Sequence, residues 1–248
     1  MHKKLKTLTF IVIVIIVLIT SSHHIGSWMG SAIVDNYKIE ILDASQHGFL
    51  DRSSVIKFIE LTNGEILGKK KDSIDLNTIE HKLKNSNYIK DCEVFYTIEY
   101  NNLYASTVLN VVVDQKDPIV RVVSKKRDYY LDANKDVIPW SPKYTEKTPI
   151  ITGQTDLNFI KNDLFDLCLF IQNDRFLKAL IDQIDVLKGG ELVLIPKIGD
   201  FKILFGKPEA YKRKFKYLKA FYRQILSNDN WGKYQKINLK YEGQVVCS

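Results

Sequence analysis

The fold of this chain is decided by residues 88–113, which read YIKDCEVFYTIEYNNLYASTVLNVVV. Residues 88–100 and 103–113 are rich in the β-branched and aromatic side chains that favour strands. Asn101 and Asn102 separate the two stretches, and asparagine tolerates the backbone conformations of a tight turn. The stretch therefore predicts a long β-hairpin.

A short strand and two helices are predicted before this hairpin. Residues 37–42 alternate between apolar and polar side chains, as a half-buried strand does. A first helix begins at a cap provided by Asp51 or Ser53 and ends before Gly64. Residues 74–76 lead into a second helix with Leu76, Ile79 and Leu83 on its apolar side, and residues 85–87 end it. The predicted order is β-α-α-β-β.

The pattern changes after Pro118, where short strands and longer helices begin. Pro208 is expected in the first turn of the last helix, a position that proline favours. The strands and helices after Pro118, taken together with the hairpin of residues 88–113, predict an α+β fold. Its predicted strands are 119–123, 129–131, 137–139, 149–151, 186–196 with a turn at Gly189–Gly190, 201–205, and 236–247 with an interruption at Glu242–Gly243, and its predicted helices are 157–171, 176–181 and the segment from Pro208 onward.

The long apolar run of the chain, residues 8–19, follows Lys3, Lys4 and Lys6. It predicts export or a membrane anchor, with the basic N-terminus in the cytoplasm and the bulk of the chain outside. A cleavable signal fits the length of the run. A spanning helix also fits if the segment extends to Gly30, since about 20 residues cross a bilayer. The local pattern slightly favours cleavage and leaves both possibilities open.

The formal net charge is +7, and much of the excess lies at residues 69–71, 125–127 and 207–223. Such runs indicate nucleic acid, lipid head groups or an acidic protein as a partner, or a solvated surface. Solvated surface near a membrane is the simpler interpretation of the first two runs. Nucleic acid is an unsuitable ligand outside the membrane, so the third run predicts an acidic protein partner.

The residues with reactive side chains show no catalytic, cofactor or metal pattern. The spacing of Cys92, Cys168 and Cys247 fits neither a disulfide framework nor a zinc site, and the first two are expected to be buried. The chain also lacks the motifs of zinc proteases, serine hydrolases and phosphate-binding loops. Asp132 and Asp136 are interpreted as a turn that satisfies local N–H groups. We therefore predict no enzyme activity, no cofactor and no small-molecule substrate.

Several segments taken in order resemble the FtsQ/DivIB family of bacterial division proteins. The β-α-α-β-β unit after an N-terminal apolar segment is similar to a POTRA domain. The later segments are similar to the family's β-rich domain and its terminal strand. The segments that carry the resemblance are Asn87–Val94, Pro118–Val122, Tyr130–Asp132, Val137–Pro139, Phe205–Lys207, Ile237–Tyr241 and Gln244–Val246.

The resemblance implies an uncleaved anchor and four regions. These are a cytoplasmic tail at 1–7, a transmembrane anchor at 8–30, a POTRA-like domain at 37–116 and a β-rich FtsQ/DivIB-type domain at 117–248. It implies a single-pass protein of the cytoplasmic (inner) membrane at the division septum. Its function would be a non-enzymatic divisome scaffold that links early and late division proteins and regulates septal peptidoglycan synthesis. Its partners would be FtsB/FtsL-type proteins and the wall synthesis machinery.

The resemblance also places a partner-binding surface at the last strand and the start of the last helix. An open sheet edge beyond Gly243 could accept a strand from a partner, through main-chain hydrogen bonds. A basic residue before the helix would meet an acidic group of the partner. The residues predicted to form this surface are Lys207, Lys240, Tyr241, Gln244, Val245 and Val246.

Two other classes of protein remain as alternatives. One is an exported, POTRA-containing component of envelope assembly or transport, although the chain lacks a series of barrel strands. The other is a secreted enzyme with an unrecognised site, which the missing catalytic pattern disfavours.

Overall fold

The computed structural model describes residues 13–18, 32–42, 48–101, 104–125, 128–142, 144–226 and 234–248. The chain divides into two compact units. Unit 1 comprises residues 1–46 and 50–115, and unit 2 comprises residues 47–49 and 116–248.

Unit 1 has the predicted β-α-α-β-β order. Its sheet has the strand order β1-β3-β2, in which β1 runs parallel to β3 and β2 runs antiparallel to it. This arrangement confirms the α+β prediction for the first half of the chain. The elements are β1 (Val34–Ile41), α1 (Arg52–Asn63), a 3-10 turn (Lys71–Ser73), α2 (Leu76–Lys84), β2 (Ile89–Asn101) and β3 (Tyr104–Gln115).

Local sequence signals explain where both helices of unit 1 begin. The carboxylate of Asp51 accepts a hydrogen bond from the N–H of Ser54 at 2.7 Å. The carboxylate of Asp75 accepts a hydrogen bond from the N–H of Thr78 at 3.2 Å. Each bond satisfies an N–H group that the first turn of a helix leaves unpaired. Asp51 is thus the cap, one of the two residues considered for it.

The predicted hairpin is formed by β2 and β3, which pair from Ile89 opposite Gln115 to Asn101 opposite Tyr104. The predicted turn included Asn102, which lies outside the described residues. One face of the sheet packs on the two helices. The buried side chains of this core include Val34, Tyr37, Val55, Ile59, Ile66, Ile79, Leu83, Cys92, Leu109, Val111 and Val113.

Unit 2 contains, within the described ranges, one nine-stranded sheet. Its strand order is β12-β11-β10-β9-β8-β7-β4-β5-β6, so β12 and β6 are the edges. The elements are β4 (Pro118–Val122), β5 (Tyr129–Asp132), β6 (Val137–Pro139), β7 (Ile150–Gly153), α3 (Leu157–Phe159), a π-helical turn (Ile160–Leu164), α4 (Phe165–Asn173), α5 (Arg175–Leu180), β8 (Ile181–Val186), β9 (Leu192–Pro196), β10 (Lys202–Gly206), α6 (Tyr211–Leu226), β11 (Lys236–Asn238) and β12 (Val246–Cys247).

The prediction was wrong about the strands around residue 186. The helix predicted at 176–181 is confirmed by α5 up to Leu180, whereas the turned strand predicted at 186–196 began at residue 186, with no strand predicted for residues 182–185. The structure instead has a complete strand, β8, at Ile181–Val186, antiparallel to β9. Ile181, Ile184 and Val186 are buried in the sheet. Pairing with β7 and β9 buries these side chains and makes the segment a strand, where the local pattern predicted neither helix nor strand for residues 182–185.

The end of the chain also differs from the prediction of one interrupted strand. β11 and β12 are two antiparallel strands, with Ile237 opposite Cys247 and Asn238 opposite Val246. Gly243 has a φ of 77°, a left-handed conformation that glycine adopts readily. The chain therefore reverses direction between the two strands.

Pro208 lies outside the helix that it was expected to open, because α6 begins at Tyr211. Ala210 has a φ of 53°, which is not helical. The carbonyl of Ala210 accepts hydrogen bonds from the N–H groups of Arg213 and Lys214, at 3.0 and 3.1 Å. The first turn of the helix therefore forms after the proline.

Aromatic side chains join the helices of unit 2 to its sheet. Phe215 on α6 is 1% exposed, and its ring stacks on Phe170 of α4 at 5.8 Å. It also contacts Phe205 of β10 at 5.0 Å. Leu218 and Tyr222 of α6 are buried too, as the helical spacing predicted.

Cys92 and Cys168 are buried, as expected from their apolar surroundings. Burial raises the pKa of the Cys92 thiol to about 11 and that of Cys168 to about 12. Desolvation disfavours the charged thiolate in both places. Both therefore pack as small apolar side chains.

Asp174 connects two helices of unit 2. Its carboxylate accepts hydrogen bonds from the N–H groups of Phe176 and Leu177, both at 3.1 Å, and caps α5. It also pairs with Lys219 of α6. Desolvation raises the pKa of Asp174. The hydrogen bonds from Lys219 and from the two N–H groups together lower it by more, so the pKa of Asp174 lies below its ordinary value.

Asp174→Ala is expected to lower the free energy of unfolding by about 0.5–2 kcal/mol at neutral pH, the usual range for a lost helix cap. Because the pKa of Asp174 is lowered in the folded state, its contribution is complete above the unfolded value of about 3.9 and is lost as the pH falls. Urea unfolding of the unchanged protein and of Asp174→Ala at a series of acidic pH values measures how this difference in the free energy of unfolding depends on pH. The exposed Asp182→Ala is the control, and an equal loss in both variants would contradict the assignment.

The predicted anchor at residues 8–30 falls outside the described residues, except for residues 13–18, which are helical. Within the described part of the chain, no helix combines the length and the apolar character needed to cross a membrane. The anchor stays a prediction.

Candidate partner-binding edge

The strand β12 forms one edge of the sheet in unit 2. Side chains alternate along this segment, as they do in any strand. Val245 and Cys247 are half-buried against the core, whereas Gln244 and Val246 are exposed. Val246 is 42% exposed. The edge therefore presents alternating side chains to an approaching segment.

The main chain of the edge has hydrogen-bonding groups that point away from the sheet. The N–H of Ser248 donates a hydrogen bond to the carbonyl of Lys236 on β11 at 3.2 Å. The carbonyl of Ser248 accepts a hydrogen bond from the N–H of Lys236 at 3.0 Å. In an antiparallel pair, successive residues point their main-chain groups to opposite sides. The N–H and C=O of Cys247 therefore point outward, and the alternating burial of residues 244–247 extends the same alternation to Val245, just before β12. No strand in the described ranges lies beyond β12.

The two predicted lysines lie at one turn, the turn between β8 and β9. The Nζ of Lys240 is 2.6 Å from a carboxylate oxygen of Glu191. The Nζ of Lys207 donates a hydrogen bond to the carbonyl of Gly189. The bond from Lys240 lowers the pKa of Glu191, and the charge of Lys207 lowers it further. The structure thus brings the two lysines together around one carboxylate.

Close packing holds the two lysines in place. The side chain of Lys240 lies against Gly206, where an added Cβ would be 3.1 Å from its Cγ. The carbonyl of Lys207 accepts a hydrogen bond from the Nζ of Lys214 at 2.7 Å. Lys214 also lies over the ring of Phe205 at 4.7 Å. The position of Lys207 is therefore set by α6 as well as by β10.

The other predicted residues are distributed around the turn that precedes β12. Tyr241 is 54% exposed. Arg213 of α6 pairs with Glu242 at 2.6 Å, which links this turn to the start of the helix. Sequence analysis missed Glu191 and Glu242, because the partner of a surface carboxylate depends on chain pairing that no local pattern encodes.

A separate basic cleft lies on α6. Its volume is about 330 Å³, and its floor includes the rings of Phe170 and Phe215. Lys219 is paired with Asp174 there. The cationic side chains around this cleft are Lys212, Lys216, Lys219 and Arg223. Their spacing places them along one side of the helix.

The chain matches two family models. The model described as FtsQ/DivIB, C-terminal related, matches residues 117–248. A POTRA-like domain model matches residues 33–101. No curated protein matches the chain. Because the first match covers just over half of the chain, and the POTRA-like match precedes it, this protein belongs to the FtsQ/DivIB family, whose domains indicate a role in cell division.

Proposed function

We propose that this protein is a non-enzymatic scaffold of the bacterial divisome that binds its partner through the open edge at β12. The observation that carries the proposal is the outward direction of the main-chain groups of Val245 and Cys247. A strand added to this edge would gain main-chain hydrogen bonds, and the exposed side chains of Gln244 and Val246 would select its sequence. The membership of the FtsQ/DivIB family supports it.

The lysine pair would supply the electrostatic part of the recognition. Lys240 is already paired with Glu191, and both side chains are more than a third exposed. Water screens such a pair, so its net contribution to stability is small. A carboxylate of the partner could therefore replace or join Glu191 at little cost. Lys207, Lys240 and Tyr241 would contact an acidic segment of the partner.

The proposed partners are FtsB/FtsL-type division proteins, through which the scaffold would connect to the septal wall synthesis machinery. The basic cleft on α6 would add attraction for an acidic partner. The proposed location is the cytoplasmic membrane at the septum, with residues 8–30 as a retained anchor and units 1 and 2 outside the cytoplasm.

Imaging a fluorescent fusion on the N-terminus through the division cycle tests this function. A full-length chain at mid-cell that pulls down FtsB/FtsL-type proteins of the same bacterium is the expected result. Deleting residues 245–248 should abolish the pull-down. A deletion also removes core contacts, so Gln244→Glu with Val246→Glu is a milder variant that leaves Val245 and Cys247 in place.

Lys197→Glu with Lys202→Glu is a control of similar size, on exposed positions of unit 2 outside the proposed surface. It should leave the pull-down unchanged. An even distribution of full-length protein around the envelope, or unchanged pull-down by the edge variant, would contradict the scaffold function.

A further inference from the structure

One end of the sheet in unit 1 carries exposed aromatic, aliphatic and lysine side chains that the proposed partner edge does not use. Tyr100 is 80% exposed and Tyr104 is 77% exposed, both next to the hairpin turn. Leu67 is 39% exposed. Clustered exposure of large side chains indicates an interaction surface. We name Leu67, Lys69, Lys70, Lys71, Tyr100 and Tyr104 the anchor-side patch.

The strand pairing brings these residues to the same end of unit 1. β1 and β3 are parallel, with Val34 opposite Thr107, so both strands begin at this end. The segment after α1 returns to the start of β1. There the N–H of Val34 bonds the carbonyl of Lys69, and the N–H of Lys71 bonds the carbonyl of Ala32, both at 2.9 Å. The lysines therefore lie at the end where the hairpin turns.

The chain enters unit 1 at this end. If the anchor ends at Gly30, the three steps to Ile33 span at most about 11 Å. Ile33 itself forms a bridge with Lys70. So short a tether keeps the patch close to the surface of the membrane that holds the anchor.

We propose that the anchor-side patch docks unit 1 onto the phospholipid head groups of that membrane. This inference rests on the proposed anchor but concerns a separate contact. Tyrosine favours the boundary between water and lipid, because its ring is apolar and its hydroxyl is polar. Lysine can lay its aliphatic part along apolar groups while its ammonium group stays among the head groups.

The directions of the two tyrosines favour a lipid surface over a protein partner. Tyr100 lies opposite Ala105, and Tyr104 lies opposite Asn101. Since neighbouring residues of a strand point to opposite faces, the two rings project from opposite faces of the hairpin. A protein that docks on one face would contact one ring. A head-group layer surrounds the end of the hairpin and contacts both.

The exposed lysines of this end give a moderate preference for anionic lipid. Asp35 accepts a hydrogen bond from the main chain, and Glu99 pairs with Lys38 at 3.4 Å. Glu65 and Asp72 are the other carboxylates near the three lysines of the patch. Lys38 and the three lysines of the patch balance these four carboxylates in formal charge, so the preference for anionic over neutral head groups rests on the exposed side chains of Lys69 and Lys70 and not on a net positive charge.

Fluorescence quenching by brominated lipids in vesicles that contain the full chain tests the inference. In a background where Trp28, Trp140 and Trp231 are phenylalanine, a Tyr104→Trp probe should be quenched by brominated phosphatidylcholine. A Tyr88→Trp probe is the matched control, because it lies at the other end of β2, about 40 Å away at 3.3 Å per residue. It should not be quenched.

Charge reversal at the lysines tests the lipid preference. Adding brominated phosphatidylglycerol should increase the quenching of the Tyr104→Trp probe. Lys69→Glu, Lys70→Glu and Lys71→Glu together should remove at least half of that increase. The control is an equal charge change on unit 2, at the exposed residues Lys147, Lys197 and Lys202, which should have no effect.

An unquenched Tyr104→Trp probe, equal quenching of both probes, or an equal effect of the two triple variants would overturn the inference. Resistance of the chain to carbonate extraction separates this failure from that of the anchor. A retained chain with an unquenched Tyr104→Trp probe refutes the docking alone. An extracted chain refutes both.

Discussion

Phe215→Ala is expected to lower the free energy of unfolding of unit 2 by about 3–5 kcal/mol, the usual cost of removing a buried phenylalanine ring. The ring is 1% exposed and contacts Phe170 on α4 and Phe205 on β10. Its loss leaves a cavity between α6 and both of these elements. Urea unfolding combined with hydrogen exchange of unit 2 peptides measures the change.

Lys216→Ala is the control for this prediction, since Lys216 is the next residue of α6 and its side chain is exposed. It should change the free energy of unfolding by less than about 0.5 kcal/mol. A loss of less than about 1 kcal/mol in Phe215→Ala would show that the three rings do not pack as described.

Val245→Pro is expected to weaken binding of FtsB/FtsL-type proteins by about 10- to 100-fold. Proline removes the outward N–H of residue 245, and its ring obstructs an approaching strand. One lost main-chain hydrogen bond of about 0.5–1.5 kcal/mol weakens binding by about two- to tenfold, and the obstruction by the proline ring is expected to supply the rest. Titration of the purified full-length protein with the purified partner complex measures the affinity.

Val245→Ala is the matched control, because it shortens the same side chain but keeps the N–H. It should bind within about threefold of the unchanged protein, as expected if the main chain provides the affinity. The free energy of unfolding of both variants is measured in parallel, to exclude a folding defect. Equal loss of binding in both variants would show that the side chain of Val245, and not the open edge, makes the contact.

Much of unit 1 could be predicted from the sequence because its signals are local. The Asp51 cap, Gly64 after α1 and the period-two stretches on either side of Asn101 each act within a few residues. The same holds for the buried side of α6, where Phe215 follows the helical spacing. In these places the local preference and the tertiary packing agree.

The prediction failed where strand pairing decided the conformation. Residues 182–185 of β8 were assigned to neither helix nor strand from their local pattern, and their position between β7 and β9 makes them a strand. The two strands at the end of the chain pair with each other because Gly243 reverses the direction between them. Neither result follows from a pattern within one segment.

By itself the sequence determined the order of elements in unit 1, the buried residues of its helices, and the resemblance to the FtsQ/DivIB family. The tertiary structure decided the surroundings of the predicted site. Lys240 meets Glu191, a residue 49 positions away along the chain. It also decided that Tyr104 and Lys69 share one end of a sheet. The physical reason is that helix caps and side-chain alternation act over a few residues, whereas contacts between distant segments exist only once the strands have paired.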